Sequence, residues 1–168
     1  MSDKQSNWYA LYLRSRYEQK TDAELKKKGI ESFLPLIEVT RIWSDRKKKI
    51  KEPLFRGYIF VKTDLRNKIN ILQTNGVVQL VGIGEKPSSI PEEQINWIRL
   101  LTEHPAVIQK EYFITRGQKV RVMNGPFTGI VGFVLENKGK HKVVVTIESI
   151  NQSVSLEIPA EMIEIINK

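Results

Sequence analysis

Apolar and polar positions fall into two regimes along the chain. In the first, short apolar runs alternate with amphipathic stretches. Residues 8–13, Trp-Tyr-Ala-Leu-Tyr-Leu, predict a buried strand. Tyr17, Thr21 and Leu25 recur at i, i+4 and i+8 and predict a helix from Tyr17 to Lys28. Lys26, Lys27 and Lys28 load its last turn, and Gly29 stands where a left-handed cap would end it. The stretch Phe33–Trp43, broken only by Pro35, alternates at its end through Val39, Arg41 and Trp43, and after a basic turn Pro53–Val61 predicts another strand. Residues 65–73 predict a short helix, and Val77–Val81 a strand closed by Gly82 and Gly84. Pro91 opens a second long helix with Ile95, Ile98 and Leu101 or Thr102 on its buried face. The order β-α-β-β-α-β-α predicts an α+β sandwich, with helices packed on one antiparallel sheet.

The second regime begins after Glu103. The segment to Ile114 has no clear period, contains His104-Pro105 and reads as a linker whose twelve residues reach at most roughly 40 Å. Beyond it come five short strands: Lys119–Met123, Ile130–Glu136, Lys142–Ile147, Val154–Ile158 and Met162–Ile166. Turns at Asn124-Gly125-Pro126 and Asn137–Lys140 separate them, and the set predicts a small five-stranded β-barrel. Expected boundaries are therefore residues 1–105, a linker at 106–114, and 115–168.

Composition narrows the function classes. The 168 residues carry 27 Lys+Arg against 19 Asp+Glu, a formal charge of +8, with 40% hydrophobic residues and no cysteine. The lack of cysteine removes disulfides, thiolate metal sites and thiol catalysis, and fits a reducing cytoplasm. The polar start before Trp8 predicts no signal peptide, and no apolar run approaches the roughly 20 residues of a membrane span. Candidate catalytic groups are sparse. His104 and His141 stand apart, Glu92-Glu93 follow Pro91 as an acidic first helical turn, and Gly82-Ile83-Gly84 meets Pro87 where a dinucleotide loop needs its third glycine. The expectation is a monomeric, non-enzymatic, cytoplasmic protein with an anionic partner, no membrane association, and no metal or cofactor.

Most of the charge excess is N-terminal: residues 1–108 hold 19 basic and 13 acidic groups, residues 109–168 hold 8 and 6. Arg46-Lys47-Lys48-Lys49-Ile50-Lys51 is the densest run, and fits either a solvated hairpin tip or a nucleic-acid contact. Arg14, Arg16 and Lys20 follow the first strand and form a second, sparser cluster.

Three segments carry a resemblance. Trp8-Tyr9-Ala10-Leu11, Glu52-Pro53-Leu54-Phe55-Arg56-Gly57-Tyr58-Ile59-Phe60-Val61, and Gly117 through Gly125-Pro126-Phe127-Thr128-Gly129 resemble the NusG family of transcription elongation factors, in order and with matching spacing. The resemblance implies an N-terminal NusG-type domain that binds RNA polymerase and a C-terminal KOW barrel. It implies that Tyr12, Phe55 and Tyr58 form an exposed aromatic patch on the clamp helices of the largest polymerase subunit. It also implies that Arg14, Arg16, Lys20 and Asn75 meet the non-template DNA strand of the transcription bubble; the charge run, not the resemblance, makes Arg46, Lys47, Lys48 and Lys49 a further candidate nucleic-acid contact. Phe127, either partner-facing or a barrel-end plug, and Ile150 are the positions implied for KOW partners such as ribosomal protein S10 or termination factor Rho.

Arg56 departs from the proline usual in the family. Glu52–Phe55, the loop at Ile150-Asn151 and Arg41–Lys48 resemble the specialised paralogues, RfaH-like factors and capsule-operon regulators, which act as operon-specific antiterminators. Two alternatives compete: a housekeeping factor coupling polymerase to Rho or the ribosome, and a KOW-type ribosome- or RNA-binding protein. Val143–Ile147 are β-branched in succession, which favours strands over a helical form of the C-terminal domain.

Overall fold

The computed structural model describes residues 5–105, 108–111, 117–137 and 140–166, and divides the chain into two compact units, Met1–Asn96 and Trp97–Lys168. In the first, β1 (Asn7–Leu13) leads into α1 (Glu18–Lys27) and then β2 (Glu31–Phe33), β3 (Leu36–Ile42), β4 (Lys47–Pro53) and β5 (Tyr58–Thr63). A 3-10 turn at Leu65–Asn67 runs into α2 (Lys68–Leu72), followed by β6 (Val77–Leu80), β7 (Gly82–Ile83) and β8 (Lys86–Pro87). The helix α3 (Glu92–Glu103) crosses the boundary between the units.

Four strands form an antiparallel sheet in the order β2-β5-β1-β6, so β1 is interior and flanked on both sides. Successive side chains of a strand point to opposite faces. Tyr9, Leu11 and Leu13 therefore share a face with Ile59 and Val61, and these pack with Leu25 and Ile30 at and beyond the end of α1 and with Ile71 of α2. Each such buried Leu or Ile contributes about 1.5–3 kcal/mol. Trp8, Ala10 and Phe60 lie on the other face and are also buried. That explains the near-continuous apolar run of β1. Leaving the helix, Lys28 and Gly29 return their N–H groups to carbonyls of the last turn, with Gly29 at φ +72°.

Two predicted boundaries move. Pro53–Val61 is not one strand: Leu54–Gly57 turn, with the Tyr58 N–H donating to the Phe55 carbonyl (3.2 Å) and Gly57 at φ +80°, so β5 begins only at Tyr58. The lysine run is not a turn either. It is β4 itself, paired with β3 from Leu36↔Pro53 to Ile42↔Lys47 as a separate two-stranded ribbon. Its charges masked the alternation on which sequence reading depends.

In the second unit all five expected strands occur: β10 (Gln118–Val122), β11 (Val131–Asn137), β12 (Lys140–Ile147), β13 (Gln152–Glu157) and β14 (Ile163–Ile165). A sixth, β9 (Ile108–Glu111), precedes them and pairs with β13 from Ile108↔Leu156 to Glu111↔Ser153. The segment expected as a linker thus contributes a strand, because its backbone groups find partners on the β13 edge; residues 106–107 and 112–114 lie outside the described residues. The sheet order is β14-β10-β11-β12-β13-β9. Central β12 buries Val143, Val144, Val145 and Ile147 on both faces, as its β-branched run predicts. The architecture is the expected α+β one, an antiparallel sheet with helices and a second unit that is mostly β.

Candidate functional site

At its C-terminal end β1 changes character. Trp8 and Ala10 are sealed, but Tyr12, two positions on and on the same face, is 42% exposed. Its neighbours across the sheet are Tyr58, the first residue of β5, and Gln79 of β6. The Tyr12 and Tyr58 rings meet at 5.5 Å between centroids, tilted by 50°. Gly57 supports the turn before Tyr58: its φ of +80° is a conformation that side chains disfavour, while a Cβ there would meet the Tyr12 ring only at an ordinary 3.5 Å contact. The turn is tied down on both sides. The Gly57 N–H donates to the buried Glu18 carboxylate (3.0 Å), and the Gly57 carbonyl accepts from the Leu13 N–H (2.8 Å). Burial, and then the neighbouring Tyr12, raise the Tyr58 phenol above its ordinary value of 10.0, so it stays a neutral hydroxyl over the working pH range.

Phe55 does not join this pair. The resemblance implies it as an exposed member of the patch, and the structure overturns that. Phe55 lies in the turn, not the strand, and the turn folds its ring inward to 2% exposure, edge-on to Phe60 at 6.2 Å. The surface patch at this end of the sheet is the tyrosine pair, with Phe55 beneath it as core.

Arg14, Arg16 and Lys20 lie at the β1–α1 junction, distant Asn75 is brought to it, and all four are exposed. The Arg14 N–H donates to the Gly76 carbonyl (2.8 Å), and the Tyr17 N–H closes a turn on the Arg14 carbonyl (3.2 Å). Arg16 holds the left-handed backbone, φ +67°, rare for a residue with a side chain and costing of order 1–2 kcal/mol. From α1, the Thr21 hydroxyl donates to the Asn75 carbonyl (2.8 Å), and the Glu24 carboxylate accepts the Asn75 N–H (3.3 Å to each oxygen). Lys20 lies 5.7 Å from the Tyr17 ring centroid. Backbone bonds fix the turn while the cations and the Asn75 amide face solvent, an arrangement suited to holding phosphates and one base edge.

On the ribbon, Arg46 belongs to the tip and Lys47, Lys48 and Lys49 to β4. The tip closes through the Trp43 N–H to the Arg46 carbonyl (2.8 Å), and the Arg46 guanidinium sits 5.9 Å from the Trp43 ring centroid. Arg41 pairs with Glu52 (2.7 Å), Lys49 with Glu38 (3.5 Å) and Arg56 with Glu52 (3.8 Å). These exposed pairs are worth little individually and leave the ribbon net cationic.

In the second unit the two expected partner residues turn inward. Phe127 is buried with its ring edge-on to His104 (5.1 Å), the plug alternative, and Ile150 is buried in a 3-10 turn that ends on left-handed Asn151. Both side chains are buried, so neither presents a surface to a partner here. Sequence reasoning missed Glu18, which gave no signal beyond an acidic first turn, and Gly76, which the turn dipeptide Asn75-Gly76 could have marked. It also passed over Ile83, exposed at the tip of the β7–β8 hairpin.

Comparison with known proteins agrees with this architecture. The family described as transcription termination factor NusG matches residues 6–99. The Thermus thermophilus transcription termination/antitermination protein NusG is 30% identical over 164 residues, covering 83% of this chain and 89% of that protein. Its Borreliella burgdorferi counterpart is 24% identical, covering 94% and 97%. A solved structure of Thermotoga maritima NusG, at 22% identity, superposes with a TM-score of 0.54 over 97% of this chain and 98% of that one, a likeness of fold. With a matched N-terminal domain, relatives aligned nearly end to end and a shared two-part fold, the chain belongs to the NusG family of transcription factors.

Proposed function

We propose that this protein is an elongation and antitermination factor that docks on RNA polymerase through Tyr12 and Tyr58 and holds non-template DNA through Arg14, Arg16, Lys20 and Asn75. The observation that carries this reading is the junction itself. Leu13 alone separates exposed Tyr12, paired with half-buried Tyr58 and of the residue type that anchors protein interfaces, from a fixed cationic turn that a remote asparagine completes. A factor bridging polymerase and the displaced strand needs these two surfaces side by side, and acts by favouring the elongating conformation, with no chemical step. The likeness of Glu52–Phe55 and Arg41–Lys48 to specialised paralogues supports an operon-specific role; the names of the Thermus and Borreliella relatives favour a general factor. Phe127 and Ile150 are not part of the proposal, so S10 or Rho binding through them is not either.

The test is binding to a clamp-helix fragment and, separately, to a paused elongation complex with its bubble exposed. Tyr12→Ala with Tyr58→Ala should cost about 2 kcal/mol in the first assay. Arg14→Ala, Arg16→Ala and Lys20→Ala together should flatten the log–log salt slope of the second by about two units, at roughly 0.7 per phosphate contact on single strands. Unchanged clamp-helix affinity in the double variant would sink the docking surface. An unchanged slope in the triple variant would move the DNA contact to the Arg46–Lys51 run, and if neither cluster mattered recruitment would rest on polymerase alone, as for a general factor.

A further inference from the structure

The β3–β4 ribbon has two unlike faces. Alternation and register place Lys47, Lys49 and Lys51 on one face, opposite Ile42, Thr40 and Glu38, and all six are exposed. The other face is partly covered: Ile37 is buried, Val39 and Ile50 are half-buried, and Arg41 is held by Glu52. Residues 36–53 carry six cations against three carboxylates, and the ribbon ends on two large apolar side chains in solvent, Ile42 at 76% and Trp43 at 52% exposure.

Three features converge here. Alternate residues of a strand are about 6.7 Å apart, comparable with the step between successive phosphates of one nucleic-acid strand, so the lysine row offers one cation per nucleotide. Glu38 engages Lys49 only across an exposed 3.5 Å pair, which a phosphate can displace. At the ribbon tip beyond β4 stands the Trp43 indole, 52% exposed with the Arg46 guanidinium 5.9 Å from its ring centroid, and an exposed indole stacks on an unpaired base but not on bases already stacked in a duplex. We infer that the β3–β4 ribbon is a grip for single-stranded nucleic acid, with Lys47, Lys49 and Lys51 on consecutive phosphates and a base stacked on Trp43. The grip rests on the proposed reading that Arg46–Lys49 meet nucleic acid; it adds the strandedness of the ligand and roles for Trp43 and Lys51. Stacking accepts any base, so its contribution is independent of sequence, unlike that of Asn75.

The experiment uses the full chain without polymerase, titrated against fluorescein-labelled dT12 and a 12-base-pair duplex over a range of salt. The expected result is tighter binding of dT12, a loss on the order of tenfold for Trp43→Ala, and recovery of most of it in Trp43→Phe. The triple variant Lys47→Ala, Lys49→Ala, Lys51→Ala should flatten the log–log slope by about two units. All four side chains are exposed, and far-ultraviolet circular dichroism checks that the variants fold. Wild-type affinity of Trp43→Ala for dT12, or a preference for the duplex with Trp43 indifferent, overturns the grip. The same variants are then tested on the clamp-helix fragment. Undiminished binding there, with a failed dT12 result, removes the grip alone, whereas failure of Tyr12→Ala with Tyr58→Ala to weaken that binding removes the docking reading.

Discussion

Gly76→Ala tests how rigidly the cationic junction is built. A Cβ on Gly76 would lie 2.6 Å from both Tyr17 Cβ and Thr21 Oγ1 and 2.7 Å from Tyr17 Cδ1, at a backbone φ of +92°. Two costs add. The left-handed backbone costs a residue with a side chain about 1–2 kcal/mol, and forcing a methyl group into filled space costs about 1–3 kcal/mol more. Tyr17 cannot yield by rotating its ring, because the closest contact is its Cβ, fixed to the backbone at the start of α1. The expected loss is therefore about 3 kcal/mol. Gly29→Ala is the control: its φ is +72° but nothing lies within 4 Å of the added carbon, so it should show the backbone cost alone. Urea denaturation followed by tryptophan fluorescence reads the difference, because Trp8 is buried in the same unit. Gly76 also accepts the Arg14 N–H, and Asn75 accepts the Thr21 hydroxyl. Gly76→Ala should accordingly weaken binding to dT12, while Gly29→Ala leaves it unchanged. Equal stability losses in the two variants would refute the close packing of α1 on the Asn75-Gly76 turn, and with it the claim that this turn is held in place for contact.

Phe55→Ala should cost about 3–5 kcal/mol of stability by emptying the space against Phe60; a variant as stable as wild type in urea would return Phe55 to the surface patch. The raised Tyr58 phenol sets a pH dependence. The unfolded chain loses this proton first, so the contribution is intact below pH 10 and stability falls as pH rises from about 10 towards the folded value. Denaturation midpoints at pH 9 and 10.5 should converge more closely in Tyr58→Phe than in wild type, and an identical fall in both would discount burial of the phenol.

Much of the fold was legible in residue order because burial writes itself into local patterns. An interior strand such as β1 must be apolar on both faces, α1 must repeat its apolar contacts every turn, and the β-branched run Val143–Ile147 suits only a pleated, packed strand. The family's motifs could be read for the same reason: glycines and aromatics at fixed spacing reflect turns that few residues can make. Tertiary structure decided what pattern could not encode. Whether Phe55 faces water depended on a turn closed by a backbone bond to Tyr58 and a carboxylate 39 residues away, Glu18. Whether the lysine run was tip or strand depended on a ladder to β3, since Lys47, Lys48 and Lys49 are exposed on both faces of β4 and leave no apolar alternation to read. Whether residues 108–111 linked or paired depended on the free edge of β13. Asn75 reached Arg14 only because α1 and β6 close on one another through Thr21 and Glu24. Hydrophobic burial is additive along the chain and leaves a local record; hydrogen-bond partners are chosen across it, and become known only when the chain has closed.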